Sequence, residues 1–228
     1  MYERSEPLDI LTPAADEPAS GVLVFGAPRG GTSMVAGVLR LIGLDMGARQ
    51  GRGNNEDLDI QAARGNVGNL GDVNHPDYAA ALERMRPVIE ARAAEGRPWG
   101  WKDPHGGLYA RDVLDILPSP RLIAVFRDPA AAAARIHMLT GQPVAEAMND
   151  VLWLYGKAQG LIAEPPAPLA MASYEKALVR PERFVEQLAF FCHLEPTAEQ
   201  ISEAIAFISP ERGHGDPHSP GWPRDGAL

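Results

Sequence analysis

One segment of the chain combines glycines, an arginine and two hydroxyl side chains in an order that suits phosphate binding. Residues 26–33 read GAPRGGTS and follow a short apolar run. Gly26, Gly31 and Ser33 match the pattern G-x-x-x-x-G-K-[ST] of ATP-binding phosphate loops, but Thr32 stands where that pattern has lysine. Backbone N–H groups at a helix N-terminus still hold anionic oxygens, and Arg29 adds a cation inside the loop. The segment predicts a phosphate site without the lysine that reaches a triphosphate tail. A glycine-rich turn without a ligand is the simpler alternative.

Two later segments place a basic residue at the end of an extended run. Lys102 ends the first run and Arg127 ends the second, and each is followed by Asp-Pro. The aspartate suits a helix N-cap and the proline suits the first helical turn. Residues at the carboxyl ends of strands line the ligand crevice of an open α/β sheet. We therefore expect Lys102 and Arg127 to face the same crevice as the phosphate loop. A surface charge at Lys102 and a plain salt bridge at Arg127 are the alternatives.

The elements that must position these side chains follow from the apolar periodicity. Residues 21–26 form a continuous apolar run that is typical of a strand covered on both faces, and helical spacing begins at Thr32. Further strands are predicted before Lys102, before Arg127 and near residues 168–174. Helices are predicted at 32–42, 78–94, 106–117, 129–140, 144–162, around 184–191 and at 197–208. The alternation predicts an α/β protein with a P-loop-type three-layer sandwich and a mostly parallel, doubly wound sheet.

Composition divides the chain into one predicted domain with two flanking segments. Residues 1–20 are polar and predict a flexible lead-in, residues 21–210 predict a single domain, and residues 211–228 predict an irregular Pro/Gly-rich tail. Within the domain, residues 47–77 are rich in Gly and Asn and have little periodicity. A stretch of this length is usually functional, and we expect it to border the acceptor site as a loop or lid.

Charge and hydropathy narrow the possible partners. The net charge of −9 argues against nucleic-acid binding, which favours a basic face. No apolar run approaches the roughly 20 residues that span a bilayer, so no membrane association is expected. The first residues do not resemble a secretory signal, and the only cysteine is Cys192, within an apolar segment. These features favour a cytoplasmic protein, with Cys192 packed in the core.

In their order and spacing, these segments resemble the PAPS-dependent sulfotransferases, in particular their bacterial and Golgi-type members. Residues 27–33 resemble the 5′-phosphosulfate loop of that family, [KR]-[SG]-G-[TS]-[TS], and residues 125–129 (VFRDP) resemble its 3′-phosphate element. Residues 101–104 (WKDP) are similar to a segment common in the bacterial and Golgi-type members. Residues 172–184 resemble the late strand of the family and the helix that follows it. The resemblance spans roughly residues 21–210.

The resemblance implies a role for each matching residue. The 5′-phosphate of 3′-phosphoadenosine 5′-phosphosulfate (PAPS) would be held by Gly30, Gly31, Thr32 and Ser33. Arg29 would stabilise charge on the oxygen that leaves with the nucleotide, and Arg127 would bind the 3′-phosphate. Arg135 stands where many members have a serine, and would contact the same phosphate through its charge; a salt bridge is its alternative.

The general base departs from the cytosolic members of the family. Those members place a catalytic histidine two positions after the lysine, where this chain has Pro104. Glu56 resembles the acidic base of Golgi-type and bacterial members, with Asp59 and His105 as alternatives. The tail has only Gly213-His214-Gly215 where the family has G-x-x-G-x-x-K.

The predicted reaction moves the sulfuryl group of PAPS to a hydroxyl or amine of a small-molecule or glycan acceptor. Arg29 and Lys102 would stabilise the growing charge on the leaving oxygen, so no metal is expected. Two other functions stay open. One is a P-loop kinase of a small metabolite that uses ATP and Mg²⁺, and the other is a catalytically inactive nucleotide-binding protein on the same scaffold.

Overall fold

A central sheet organises the computed structural model, which describes residues 6–14, 19–47, 49, 55–66 and 70–208. Among these residues the sheet has five strands in the order β1-β5-β4-β2-β3. The strands are β1 (Leu8–Thr12), β2 (Gly21–Phe25), β3 (Gly100–Lys102), β4 (Pro120–Phe126) and β5 (Leu169–Ser173). β2 pairs in parallel with β3 and β4, β4 pairs in parallel with β5, and only β1 runs antiparallel, against β5.

Helices cover both faces of this sheet. In the described residues they are α1 (Thr32–Leu41), α2 (Leu58–Arg64), α3 (Pro76–Ala93), α4 (Ala110–Val113), α5 (Pro129–Thr140), α6 (Val144–Ala163), α7 (Tyr174–Val179), α8 (Pro181–Cys192) and α9 (Ala198–Phe207). None of them combines the length and the apolar character that crossing a bilayer requires.

The two faces of β2 explain the three layers. Successive strand residues point to opposite faces. Val22 and Val24 pack into a core with α1, α8 and α9. Leu23 and Phe25 pack into a second core with α3, α4 and α6. The strand is buried along its whole length, which accounts for its continuous apolar sequence. The predicted fold class, an α/β three-layer sandwich with a mostly parallel sheet, is confirmed.

The prediction of a flexible lead-in through residue 20 is wrong for residues 8–12, which form β1. Leu8 is buried, and its backbone N–H donates to Gln187 of α8 at 3.2 Å. β1 lies at the sheet edge, where one side of the strand needs no strand partner and polar residues such as Asp9 are tolerated. The aspartate and the threonine of β1 made this short segment look like part of an irregular polar lead-in. The predicted tail, residues 211–228, lies outside the described residues.

Several predicted helices differ in their bounds. The segment 106–117 is not one helix: α4 is flanked by 3₁₀ turns at Gly106–Leu108 and Leu114–Ile116. A Cβ on Gly106 would lie 2.8 Å from a Leu23 methyl carbon, so the backbone here presses directly against the sheet. Pro87 lies inside α3 without ending it. The stretch 47–77 contains α2 and the start of α3. Thr197 and Gln200 form a capping box at the start of α9.

Candidate active site

The phosphate loop connects the end of β2 to the start of α1, as the sequence predicts. Two of its residues have left-handed backbone angles, Arg29 with φ of 60° and Gly31 with φ of 94°. Gly31 is the N-cap of α1 and has no side chain to occupy the helix terminus. A Cβ there would lie 2.4 Å from the Tyr174 ring, so only glycine fits this position. The loop thus presents the positive end of a ten-residue helix to an anion.

Arg127 follows β4 directly and lies against this loop. Its Nη1 donates to the carbonyl oxygen of Arg29 at 3.0 Å. Its guanidinium carbon lies 4.6 Å from the centroid of the Tyr174 ring, a cation–π contact. Its Nε is buried and has no hydrogen-bond partner among the described residues. The structure therefore brings Arg29 and Arg127 together and leaves a buried donor on Arg127.

Lys102 ends β3 and lies on the other side of the loop. Its side chain is 2% exposed, and its Nζ lies 2.8 Å from Glu56 Oε1 and 3.4 Å from Ser33 Oγ. Burial lowers the pKa of Lys102, and the neighbouring Glu56 carboxylate partly opposes that shift. Asn55 donates to the Ser33 carbonyl at 3.0 Å and ties the Glu56 segment to α1. Three predicted site residues, Ser33, Glu56 and Lys102, therefore meet in one place.

Two buried ion pairs hold α2, the helix that begins just after Glu56. At its N-terminus Asp57 caps the helix, accepting from the N–H groups of Asp59 and Ile60 at 2.9 and 3.1 Å. Arg92 of α3 donates to the other oxygen of Asp57 at 2.8 Å. Burial raises the pKa of Asp57 although these contacts favour its ionised form.

At the other end of α2, Arg64 donates to both oxygens of Asp103 at 2.6 and 2.7 Å. Asp103 also accepts from the Tyr109 hydroxyl at 2.9 Å and from the His105 N–H at 3.0 Å. Burial alone would raise the pKa of Asp103, but the His105 hydrogen bonds and the Arg64 charge outweigh it and bring this pKa to about 2. Asp103 adjoins Lys102, so this network joins α2 to the end of β3.

A small open cleft lies beside the Glu56–Lys102 pair, and the 180 Å³ of empty space around it includes open solvent. It is lined by Glu56, Asp57, Ile60, Gln61, Arg64, Lys102 and Asp103. Trp99 and Trp101 lie in the core with no more than 1% exposure and do not face it. The cleft adjoins the phosphate loop through the contact between Lys102 and Ser33. Among the described residues no group of three or more His, Cys, Asp or Glu is arranged to hold a metal ion.

The other predicted site residues lie at the margins. Asp59 pairs with Arg49 at 2.7 Å. His105 places its Nδ1 3.7 Å from Asp103 Oδ1 and is partly buried. Arg135 lies on α5, partly buried, and its contact with a phosphate remains a prediction.

Sequence reasoning missed the roles of two tyrosines and of two arginines, Arg64 and Arg92. Tyr174 follows β5 just as Arg127 follows β4, so the position after a strand end was a usable signal. Tyr155 lies in the middle of α6, where its hydroxyl bonds both backbone groups of Arg127. Nothing in the local sequence marks that contact.

Comparison with known proteins shows which solved structures share the fold of this chain. No family model matches the chain, and no curated protein matches it. The sulfotransferase STF9 from Mycobacterium avium is 12% identical with a TM-score of 0.56, over 84% of this chain and 68% of that chain. The sulfotransferase STF1 from Mycobacterium tuberculosis is 13% identical with a TM-score of 0.55, over 83% and 71%. At such identities the likeness shows a shared fold, and the chain has the P-loop-type fold of these two sulfotransferases.

Proposed function

We propose that this chain is a sulfotransferase that uses PAPS. The observation that carries the proposal is the position of Arg127 against the phosphate loop, with a buried Nε that lacks a hydrogen-bond partner in the described part of the chain. A loop without its lysine suits a 5′-phosphosulfate better than a triphosphate. A guanidinium beside that loop suits a second phosphate on the same nucleotide. The fold shared with two sulfotransferases agrees with this assignment.

The donor would lie with its 5′ end at the N-terminus of α1 and its 3′-phosphate at Arg127. Gly30, Gly31, Thr32 and Ser33 border the 5′ end, where the helix terminus and the Ser33 hydroxyl would hold phosphate oxygens. Arg135 is a second candidate for the 3′-phosphate. AMP lacks that phosphate, so the difference in affinity between AMP and adenosine 3′,5′-bisphosphate measures the contribution of Arg127.

Transfer requires an acceptor oxygen or nitrogen in line with the sulfur and its leaving oxygen. The acceptor atom forms the new bond to sulfur while the bond between sulfur and the 5′-phosphate oxygen breaks. Glu56 takes the proton of the acceptor, and Lys102 and Arg29 stabilise the charge that develops on the leaving oxygen. Because Glu56 and Lys102 lie 2.8 Å apart, base and leaving-group cation are both within reach of one reacting sulfuryl group.

The acceptor would enter the cleft beside Glu56. Its lining is ionic or polar except for Ile60, so it favours a polar hydroxyl or amine compound. A small molecule or the end of a glycan fits that description.

Nucleotide binding tests the proposal. We expect adenosine 3′,5′-bisphosphate to raise the melting temperature without Mg²⁺. A concentration of 100 Kd adds about 2.7 kcal/mol to the unfolding free energy. We expect AMP to bind at least roughly tenfold more weakly, since it loses charge-assisted hydrogen bonds. Chromatography of PAPS and its product with a panel of acceptors then tests turnover.

Three results would contradict this function. ATP binding that strengthens with Mg²⁺ would indicate a kinase. Equal affinity for AMP and the bisphosphate would refute the role of Arg127. Tight binding of the bisphosphate without turnover of PAPS, for any acceptor, would indicate an inactive nucleotide-binding protein.

A further inference from the structure

The hydroxyl of Tyr155 contacts both polar groups of the Arg127 backbone. The Arg127 N–H donates to Tyr155 Oη at 2.9 Å, and the Tyr155 hydroxyl donates to the Arg127 carbonyl at 3.0 Å. These two residues are 28 positions apart in the sequence. One side-chain oxygen thus supplies an acceptor and a donor to a single residue at the proposed 3′-phosphate site.

The position of Arg127 explains why such a contact matters. β4 ends at Phe126, whose register partner on β5 is Ser173, so Arg127 lies one residue beyond the strand ladder. Backbone groups in such a position need other partners. Tyr155 provides them from α6, and its ring packs on Phe126 with the centroids 4.9 Å apart. The backbone from which the Arg127 side chain starts is therefore held by a neighbouring helix.

The same hydroxyl also reaches the phosphate loop. A Cβ on Gly30 would lie 3.4 Å from Tyr155 Oη, so the tyrosine lies beside the loop as well as against Arg127. Arg127 in turn donates to the Arg29 carbonyl. Burial raises the pKa of Tyr155, so the hydroxyl keeps its proton and remains a donor at neutral pH. A continuous set of contacts runs from α6 through Arg127 to the 5′-phosphate loop.

We infer that Tyr155 is a positioning residue for recognition of the 3′-phosphate. It fixes the Arg127 backbone so that the guanidinium reaches the phosphate and the Arg29 carbonyl together. In the proposed arrangement Tyr155 acts through the Arg127 backbone, which its hydroxyl holds at both polar groups. This inference rests on the proposed use of PAPS.

The test is the ratio of two dissociation constants, that of AMP divided by that of adenosine 3′,5′-bisphosphate, measured by calorimetry at 25 °C. Tyr155→Phe removes one oxygen and keeps the ring on Phe126. We expect it to lower this ratio roughly tenfold, because losing a hydrogen bond to a backbone group costs about a decade in an equilibrium constant. A general loss of stability would weaken both ligands alike and leave the ratio unchanged.

Tyr78→Phe is the matched control. Tyr78 is also a largely buried tyrosine whose hydroxyl donates to Asp112 and to the Leu108 carbonyl, away from the phosphate loop. Its ratio should equal that of the wild type. In a second background, Arg127→Lys, the further change Tyr155→Phe should lower the ratio by less than twofold, because the group through which Tyr155 acts is already altered.

The outcomes separate this inference from the proposed function. A wild-type protein that prefers the bisphosphate, with the same ratio in Tyr155→Phe, overturns the role of Tyr155 and leaves the function intact. A wild-type ratio near one overturns both. A tenfold further loss in the Arg127→Lys background shows that Tyr155 acts independently of Arg127 and also overturns the inference.

Discussion

Replacement of Asp103 by asparagine tests how the site is held together. The carboxylate of Asp103 is buried and accepts hydrogen bonds from Arg64, Tyr109 and His105. Asp103→Asn keeps the size of the side chain but removes its charge. Arg64 then remains buried opposite a neutral group, and α2 loses one of its two ionic anchors.

The pKa of Asp103 indicates how much stability the protein loses at least when Asp103 is replaced by asparagine. It falls from an ordinary 3.8 to about 2 in the folded protein. A shift of this size corresponds to roughly 2–3 kcal/mol of stability that depends on the ionised form. Breaking a buried ion pair by removing one partner costs about 3–5 kcal/mol. We therefore expect Asp103→Asn to lower the free energy of unfolding by about 2–5 kcal/mol at pH 7.

The pH dependence has a definite sign. Because folding lowers this pKa, the contribution is complete above the unfolded pKa and disappears as the pH falls through the folded one. At pH 3 the gap between wild type and Asp103→Asn should already be smaller by about 1 kcal/mol. Urea unfolding followed by tryptophan fluorescence measures this directly, since Trp99 and Trp101 are buried and stacked 5.1 Å apart.

Two further variants make the reasoning refutable. Asp115→Asn removes a carboxylate from an exposed pair with Arg86 and should cost less than about 1 kcal/mol. Arg64→Met combined with Asp103→Leu removes both buried charges and should recover part of the loss, because Tyr109 and His105 still lose their acceptor. A loss at Asp103→Asn no larger than at Asp115→Asn, or a gap that stays constant down to pH 3, would refute the account.

Two other predictions concern the catalytic base and the phosphate loop. Glu56→Gln should lower kcat by a factor of roughly 10²–10⁴ in steady-state kinetics. Calorimetry should show that adenosine 3′,5′-bisphosphate still binds. An unchanged kcat would remove Glu56 from the mechanism. Gly31→Ala places a Cβ against the Tyr174 ring, whereas Gly96→Ala, with a similar positive φ, meets nothing within 4 Å. Thermal unfolding should show a loss of about 1–2 kcal/mol at Gly96 and at least twice that at Gly31; equal losses would contradict the close packing of the loop.

The strand–loop–helix unit and both strand-end cations could be predicted from the sequence. Each depends on local information, namely a buried apolar run, a change of period and the residue after a strand. Parallel topology then brings Arg29, Lys102 and Arg127 to one edge of the sheet. Local patterns were enough to predict these residues because the parallel sheet determines how their strand ends meet.

Contacts between distant segments were not predictable in this way. Arg64 and Asp103 are 39 residues apart, and each also fits a surface position in its own segment. The Tyr155 hydroxyl reaches Arg127 only because α6 packs beside the end of β4. β1 was missed because an edge strand tolerates polar residues, so five residues with an aspartate and a threonine did not stand out.

β1 also changes where the folded unit begins. It covers the outer edge of β5, and the Ser173 N–H just before Tyr174 donates to the Pro7 carbonyl at 3.0 Å. Cutting the chain at residue 21, the boundary suggested by composition, would leave β5 as a bare edge with unpaired backbone groups, which favours self-association. Tyr174, whose ring contacts the Arg127 guanidinium, directly follows Ser173 and would lose this backbone support as well. The proposed nucleotide site therefore depends on residues that precede the phosphate loop by more than a dozen positions.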